Sequence, residues 1–489
     1  MNSKKETPKR TKSDKIFYDL TRSCCPVCLK LIDAQIYFEN NCVFLEKHCP
    51  AHGSTKVLVS TNIEWFKYVR SYSVPYSVPL RLTSKLNKGC PEDCGLCSEH
   101  RQHTSIGVIR VTNRCDLNCP VCCVHNANNW DLPLSQAKYM FEQLQKSEGT
   151  TEIVSISGGE PTLHPQIIDI INYAYSCNVT RCTLSSNGIR IAEDEAFVEE
   201  LAKSKAYINL SFDGFNANAY LQLRGKDLIA IKLKALQNLE KYNIPTTLIP
   251  TIAKDINEDE MGPIFEYGLS KSFIRSLHIQ PLTHIGAGGR NFNVDLLQHV
   301  TTSDILRKIE EYFKGRISAY DFVPEPNECF LTGLFLKGSR RGFISLSRLG
   351  NLHPYLDKFL NEPALSDKDV KRIIMEISMN MLMPKTAINK NTSLREKITY
   401  ISPLLALSKK IAQTYFTTPK KQLGFVLSNL LEEKMLLVNF HTMMDKYSFD
   451  QKRLVQCSHH SVTTDGQLIP ECADTLFHSK FSERNLLKK

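Results

Sequence analysis

The stretch Arg110-Val-Thr-Asn-Arg-Cys115-Asp-Leu-Asn-Cys119-Pro-Val-Cys122-Cys123 decides the reading of this sequence. A β-branched run leads straight into three cysteines spaced C-x3-C-x2-C. Three thiolates in one short loop predict a metal centre, and iron–sulfur clusters are built on Cys sulfur. Cys115, Cys119 and Cys122 can hold three corners of a [4Fe–4S] cube. The fourth iron then has no protein ligand and can take a chelating cofactor. The competing reading is zinc, whose structural sites normally show two paired C-x2-C hooks and four closed ligands. The 3-then-2 spacing favours the cluster.

Downstream of this loop, short β-branched runs alternate with amphipathic stretches, the pattern of parallel βα units. Strands are predicted at 106–111, 152–157, 181–185, 207–211, 246–251 and 276–280, with helices at 134–145, 166–175, 196–203, 229–241 and 261–270. Six units predict an α/β fold, a partial (β/α)6 TIM-like barrel. The residues just past each strand are informative, because catalytic groups in parallel barrels gather at the C-terminal face. The cysteine loop comes after the first strand, Gly158-Gly159-Glu160-Pro161 after the second, Asn187-Gly188 after the third, Asp213-Gly214 after the fourth and Gln280-Pro281 after the sixth. Glycines there admit close approach of a ligand to backbone, and Glu160 beside them can accept a hydrogen bond from an ammonium.

Upstream, residues 21–60 read as a small metal-knuckle domain. Cys25-Pro-Val-Cys28 and Cys49-Pro-Ala-His52 flank a strand-like segment, giving four ligands suited to one zinc or a rubredoxin-like mononuclear iron, with Cys42 as a substitute for His52. Between this unit and the barrel, in a linker at 61–104, Cys90, Cys94 and Cys97 repeat the C-x3-C-x2-C spacing. No strand precedes them. They are expected to hold an auxiliary cluster with a fourth ligand from elsewhere, or half of a zinc site.

The chain has 489 residues, 42% hydrophobic and 23% charged, the composition of an ordinary globular protein with two or three domains. Seventeen cysteines behind a polar, basic N-terminus without an apolar leader point to thiols kept reduced as metal ligands, hence a cytoplasmic setting. No run of 18 apolar residues occurs, which excludes an ordinary membrane-spanning helix. The net charge of +10 is concentrated near the ends, and residues 1–20 are expected to be a disordered basic tail. Such a tail can also rest on anionic lipid, so peripheral contact with the inner membrane face stays open.

Together these motifs resemble the radical S-adenosylmethionine (SAM) superfamily. By that resemblance Gly158–Pro161 matches the glycine-rich motif for SAM's amino group, and Ser211-Phe-Asp213-Gly214 with Arg224-Gly225 is similar to the segment that meets SAM's carboxylate and ribose. The resemblance implies reductive cleavage of SAM to a 5′-deoxyadenosyl radical, chemistry that belongs to the cofactors. The N-terminal knuckles, residues 89–103, 280–290 and 345–348, Phe440 to Asp445, Cys457, and Asp465 to Cys472 further resemble the tetraether lipid synthase family. Two features depart from it. Cys329 has no second cysteine nearby, and Glu471 stands where that family has Phe before the final Cys472. Cys329, Cys457 and Cys472 are thus expected to hold a further cluster, one ligand short, with His459 or His460 able to supply the missing bond.

Residues 321–489 are expected to form a mainly helical extension carrying that further cluster, after a core at 105–320. Apolar positions at Leu404, Leu405, Leu407, Phe425, Val426, Leu427, Leu430, Leu431, Leu436, Leu437, Val438 and Phe440 either pack as core or roof an acyl channel. The reading is an enzyme that functionalises unactivated C–H bonds, with SAM, one SAM-binding cluster and one or two auxiliary clusters as cofactors. Cys115, Cys119 and Cys122 hold the catalytic cluster. Gly158, Gly159, Glu160, Pro161, Asn187, Ser211, Asp213 and Arg224 position SAM. The resemblance implies a lipid acyl or alkyl substrate joined carbon to carbon. A radical SAM methylase of a pterin-like heterocycle has the same core and is the alternative. The expected partners are a small-molecule or lipid substrate and an electron donor such as flavodoxin or ferredoxin. A zinc-dependent nucleic-acid-binding protein would explain the knuckles and basic tail but not Gly158–Pro161 or the six βα units.

Overall fold

The computed structural model describes residues 14–72, 77–124, 129–286, 292, 295–324, 329–338, 342–348, 430–479 and 483–486, with scattered positions between 403 and 417. Its first unit is an antiparallel sheet of β1 (Ile16–Cys24), β2 (Leu31–Glu39), β3 (Cys42–Cys49) and β4 (Gly53–Ser60), in that spatial order. Alternation along β2 and β3 turns Ala34, Ile36, Phe38, Val43 and Leu45 to one face, where Val57 and Phe66 of α1 (Ile63–Arg70) close the cluster. Residues 16–20, expected in the tail, lie instead in β1, held by backbone pairing with β2.

The second unit is the barrel. β5 (Ile106–Thr112), β6 (Thr151–Gly158), β7 (Val179–Ser186), β8 (Tyr207–Ser211), β9 (Thr246–Ile249) and β11 (Ile274–Pro281) are parallel neighbours, and the short β10 (Thr251–Ile252) pairs with the end of β11. Connections are filled by α2 (Leu134–Glu148), α3 (Ile167–Ser176), α4 (Ile189–Glu193), α5 (Glu195–Ser204), α6 (Ala217–Arg224), α7 (Ile229–Lys241) and α8 (Met261–Ser270), with α9 (Thr302–Tyr312) beyond β11. One phase of each strand, including Ile109, Val154, Ile156, Leu184, Ile208, Leu210, Leu248, Leu277 and Ile279, is buried in a single apolar cluster with Phe141, Ile170, Leu201, Leu236 and Ile264 of the helices. The opposite phase faces the lumen. It carries Ser155, Ser157, Thr183, Ser185, Asn209, Ser211, Thr247, Ser276, His278 and Gln280, where a filled TIM barrel stacks branched aliphatics.

The C-terminal segment departs from expectation. Its described residues contribute strands β12 (Val323–Pro324), β13 (Phe330–Lys337), β14 (Phe343–Ser345), β15 (Met435–His441), β16 (His459–Val462) and β17 (Leu468–Pro470) to the barrel sheet, whose order is β12-β13-β15-β11-β9-β8-β7-β6-β5-β16-β17. β15 runs parallel to β11, and β16 parallel to β5. The mainly helical extension is therefore corrected for these residues. Leu436, Val438 and Phe440 do not roof a channel: they are fully buried strand residues in the barrel's outer core. The run 435–441 has β11 on one side and β13 on the other, so both edges of its backbone are hydrogen-bonded in the sheet. Leu404, Leu405 and Phe425 to Leu427 lie outside the described residues. No helix among the described residues is long and apolar enough to cross a membrane.

Candidate active site

The cysteine loop is built on a backbone clamp. Gly159 N–H donates to Thr112 O at 2.8 Å and Glu160 N–H to Arg114 O at 2.7 Å, so the parallel pairing of β5 and β6 continues past the strand ends. The clamp leaves no space for side chains. A Cβ at Gly158, whose φ is +137°, would lie 2.1 Å from Thr112 O, and one at Gly159 would lie 2.3 Å from Arg114 O. From the far side, Gly286 rests on the loop: a Cβ there would come within 2.9 Å of the carbonyl oxygens of Cys122 and Cys123. These three glycines are thus required by backbone contact with the loop that presents the thiols.

The thiols of Cys115 and Cys119 pack beside Leu117, Tyr220 and Leu228. Burial pushes the thiols of Cys115 and Cys122 up to about 11 and about 12. They therefore ionise with a metal rather than alone. A soft thiolate set in a half-buried loop, with backbone held on two sides, fits an iron–sulfur cluster, which Cys115, Cys119 and Cys122 would hold.

Glu160 is only 1% exposed, and its carboxylate is already engaged. Oε1 accepts from Thr162 N and Oγ1 at 3.2 and 2.6 Å, and Oε2 accepts from Asn187 N at 2.6 Å. Glu160 also caps the 3-10 turn that Pro161 opens. It therefore ties the end of β6 to the end of β7, leaving part of its acceptor capacity for a ligand. Asn187 reaches on to Asp116 in the cysteine loop through Nδ2. Glu160→Gln is expected to set an amide N–H against the Asn187 or Thr162 N–H, leaving a buried donor unmet at about 1–3 kcal/mol. Thermal unfolding and a SAM titration at constant iron content measure it; unchanged values in both would contradict this role.

Across the barrel mouth, Asp213 and Arg224 form a two-pronged pair, Nε to Oδ2 at 2.6 Å and Nη2 to Oδ1 at 2.8 Å. Asp213 Oδ1 also accepts from Thr251 N at 3.0 Å, and Asn257 Nδ2 donates to the Asp213 carbonyl at 3.0 Å. Burial alone would lower the Arg224 guanidinium, but the facing Asp213 carboxylate outweighs it and holds Arg224 above its ordinary value. Ser211 sits at the end of β8 under a residue that motif reading missed. Lys232 Nζ is fully buried and donates to Asn187 O, Ser211 O at 2.7 Å and Ser211 Oγ at 2.8 Å. Burial, followed by the neighbouring Arg224, brings Lys232 down to about 8. Its signal was in the sequence: Lys232 falls in phase with Leu228, Ala235, Leu236 and Leu239 on the buried face of α7.

The other predicted ligands form two groups. In the N-terminal sheet, Cys25, Cys28, Cys49 and His52 bring their ligand atoms within 4.8 Å of one another, and among the described residues no other set is so converged. Cys42 lies at the opposite end of the β2–β3 hairpin, opposite Glu39, and does not replace His52. Cys90 and Cys94 face a buried patch shared with Cys24, Cys472 and Met444. A hydrogen bond with Cys90, then burial, pushes the Cys94 thiol well up, and Cys457 and Cys97 add to it. The Cys457 thiol is raised by burial and then by Cys329 and Cys472. Six thiols from three parts of the chain are thus near enough to act on one another in sequence, Cys94 with Cys90, Cys97 and Cys457, and Cys457 with Cys329 and Cys472. His459 Nε2 lies 3.3 Å from Glu471, while its Nδ1 is buried without a partner among the described residues. His460 turns to the other side of the sheet, 3.1 Å from His100 Nε2.

For the four-ligand group, metal analysis is expected to find one zinc or iron that His52→Ala loses while iron–sulfur absorbance stays. Coupled loss of both would contradict separate sites.

Comparison with known proteins agrees with this geometry. Residues 109–268 match the radical SAM superfamily model, and residues 17–61 match the HMPTM N-terminal zinc ribbon domain. A 7,8-dihydro-6-hydroxymethylpterin dimethyltransferase of Methanocaldococcus jannaschii is 30% identical over 482 residues, covering 94% of this chain and 93% of that protein. An S-adenosylmethionine-dependent nucleotide dehydratase of Selenomonas ruminantium is 26% identical over 224 residues, 44% of this chain and 78% of that one. Among solved structures, Streptococcus suis SuiB bound to S-adenosylmethionine aligns with a TM-score of 0.35 at 19% identity, over 43% of this chain and 47% of that one. With the M. jannaschii enzyme matched along nearly its whole length, the chain belongs to that enzyme's family within the radical SAM superfamily, and it is an iron–sulfur enzyme.

Proposed function

We propose that this enzyme methylates a polar fused heterocycle of the pterin class. The carrying observation is the lumen. From β6 to β11 the inward phase is mainly hydroxyl, amide and imidazole, with Ile153 and Ile249 as aliphatic exceptions, a lining whose polar groups suit the edge of a heterocycle better than an acyl chain. The whole-length relative is named for a pterin, which supports the same reading. Of the positions offered for an acyl channel by the tetraether synthase resemblance, Leu436, Val438 and Phe440 are packed strand residues and cannot line one.

In this reading Cys115, Cys119 and Cys122 would hold the SAM cluster, and a reduced cluster there supplies the electron for SAM cleavage. The chain's own residues do the positioning. The clamp at Gly158 and Gly159 fixes the loop, Glu160 and Asn187 hold the neighbouring strand end, and Lys232 keeps the β7 and β8 carbonyls in place. Asp213 and Arg224 fix the α6 terminus, whose Gly225 approaches Pro120 and Asn118 of the loop. Cys90, Cys94, Cys97, Cys329, Cys457 and Cys472 would hold auxiliary iron.

Anaerobic incubation with SAM, dithionite and 7,8-dihydro-6-hydroxymethylpterin is expected to give products heavier by one and then two methylene units by mass spectrometry. Isotope in SAM's methyl group reports whether SAM is also the methyl donor. Turnover of a lipid extract with the pterin untouched would overturn the proposal.

A further inference from the structure

Four rings converge in the lumen where the two flanks of the barrel sheet come together. Phe330 of β13 and His441 of β15 are stacked, with centroids 4.3 Å apart and planes 8° apart. His459 of β16 lies 5.3 Å from His441 and 6.1 Å from Phe330, tilted by 24° and 28°. His278 of β11 meets His441 edge-on at 5.1 Å. The registers place all four on the lumen face: His278 pairs with Asn439, Phe330 with His441, and His459 with Ile106, each on the phase opposite the apolar outer core.

This arrangement is costly unless something completes it. His441 is 6% exposed and its Nδ1 has no hydrogen-bond partner among the described residues, nor has Nδ1 of His459. A buried ring nitrogen without a partner loses its hydration with nothing in return. Beside the rings lie further polar groups, Asn439 accepting from Thr332 Oγ1 at 2.9 Å and Ser276 bonded to Thr247 at 2.6 Å. Three nearly parallel rings with bare imidazole nitrogens at their edges suit a flat heterocycle that stacks on one face and hydrogen-bonds along its rim. The lumen also borders the patch where Cys329, directly before Phe330, meets Cys457, two residues before His459.

Resting on the functional reading above, we infer that Phe330, His441, His459 and His278 form the substrate-binding platform, with His441 the principal ring and hydrogen-bonding partner. They are binding residues for the heterocycle and are separate from the groups that hold SAM.

The test uses the full chain with its clusters reconstituted and 6-hydroxymethylpterin, a fluorescent pterin, as the probe. Wild type is expected to bind it, and His441→Phe, which keeps a ring but removes both nitrogens, to weaken binding about tenfold, the loss of one buried hydrogen bond. His278→Phe serves as the second variant should His441→Phe prove unstable, with the same expected direction. Iron content, SAM affinity and basal SAM cleavage are expected to stay at wild-type values, which a merely structural disturbance of the barrel would lower together. Wild-type protein that binds no pterin overturns the functional reading and this inference with it. A wild type that binds, with folded variants binding equally well, overturns the platform alone.

Discussion

Cys119→Ala is expected to reduce SAM cleavage to background, whereas Cys94→Ala leaves cleavage to 5′-deoxyadenosine running without product. Both residues occupy the middle of a C-x3-C-x2-C triplet, so spacing does not separate them. Their surroundings do. The Cys119 loop grows out of β5, is clamped by Gly159 and Glu160, and lies beside Arg224, whose guanidinium feels the Cys119 thiol. Cys94 lies in a different patch, beside Cys90, Cys97 and Cys457. Deoxyadenosine production by chromatography, with iron counted in each variant, reads the difference. Equal loss in both folded variants would contradict the assignment of the SAM cluster to the β5 loop.

Asp213→Asn is expected to cost about 3–5 kcal/mol, because it leaves the Arg224 guanidinium buried without its counter-charge. That is a large share of the roughly 5–15 kcal/mol that holds a typical domain folded. Arg224 has only 12% of its side chain exposed and Asp213 none, so water cannot replace the lost carboxylate. Adding Arg224→Met to Asp213→Asn is expected to recover part of the loss by removing the stranded charge. Thermal unfolding of the two variants decides it: a double variant less stable than the single one would show that Arg224 is held mainly by other contacts. The recovered protein is still expected to bind SAM poorly, since the α6 terminus beside the cysteine loop has lost its anchor.

Much of the barrel was legible because its strands and helices carry strong, separate periods. Residues 207–211, 229–241 and 261–270 coincide with β8, α7 and α8, and the other predicted elements differ by a few residues at their ends. The C-terminal strands were harder, for a physical reason. The run Met435-Leu-Leu-Val-Asn-Phe-His441 is apolar on nearly every position, so it shows neither a period of two nor one of 3.6, and burial on both flanks decides its state. In the site, cysteines and glycines announce themselves by spacing, whereas Lys232 is a single cation inside an otherwise regular apolar stripe. The lumen rings come from four separate strands, spanning Ile274 to Val462, and only the register of the finished sheet brings them together.

That register has a consequence for synthesis. Strand β5 receives β16 only after some 350 further residues have left the ribosome, as the contact between Ser105 and Ser458, 353 positions apart, records. β11 likewise waits for β15. Until then the nascent barrel has two bare edges, each a row of unpaired amides and carbonyls able to recruit strands from other chains. The N-terminal sheet, built from neighbouring hairpins, has no such wait. Vectorial synthesis should therefore deliver an early-folding metal-binding head and a late-closing barrel, and chains cut before residue 435 are expected to aggregate rather than to form a smaller working enzyme.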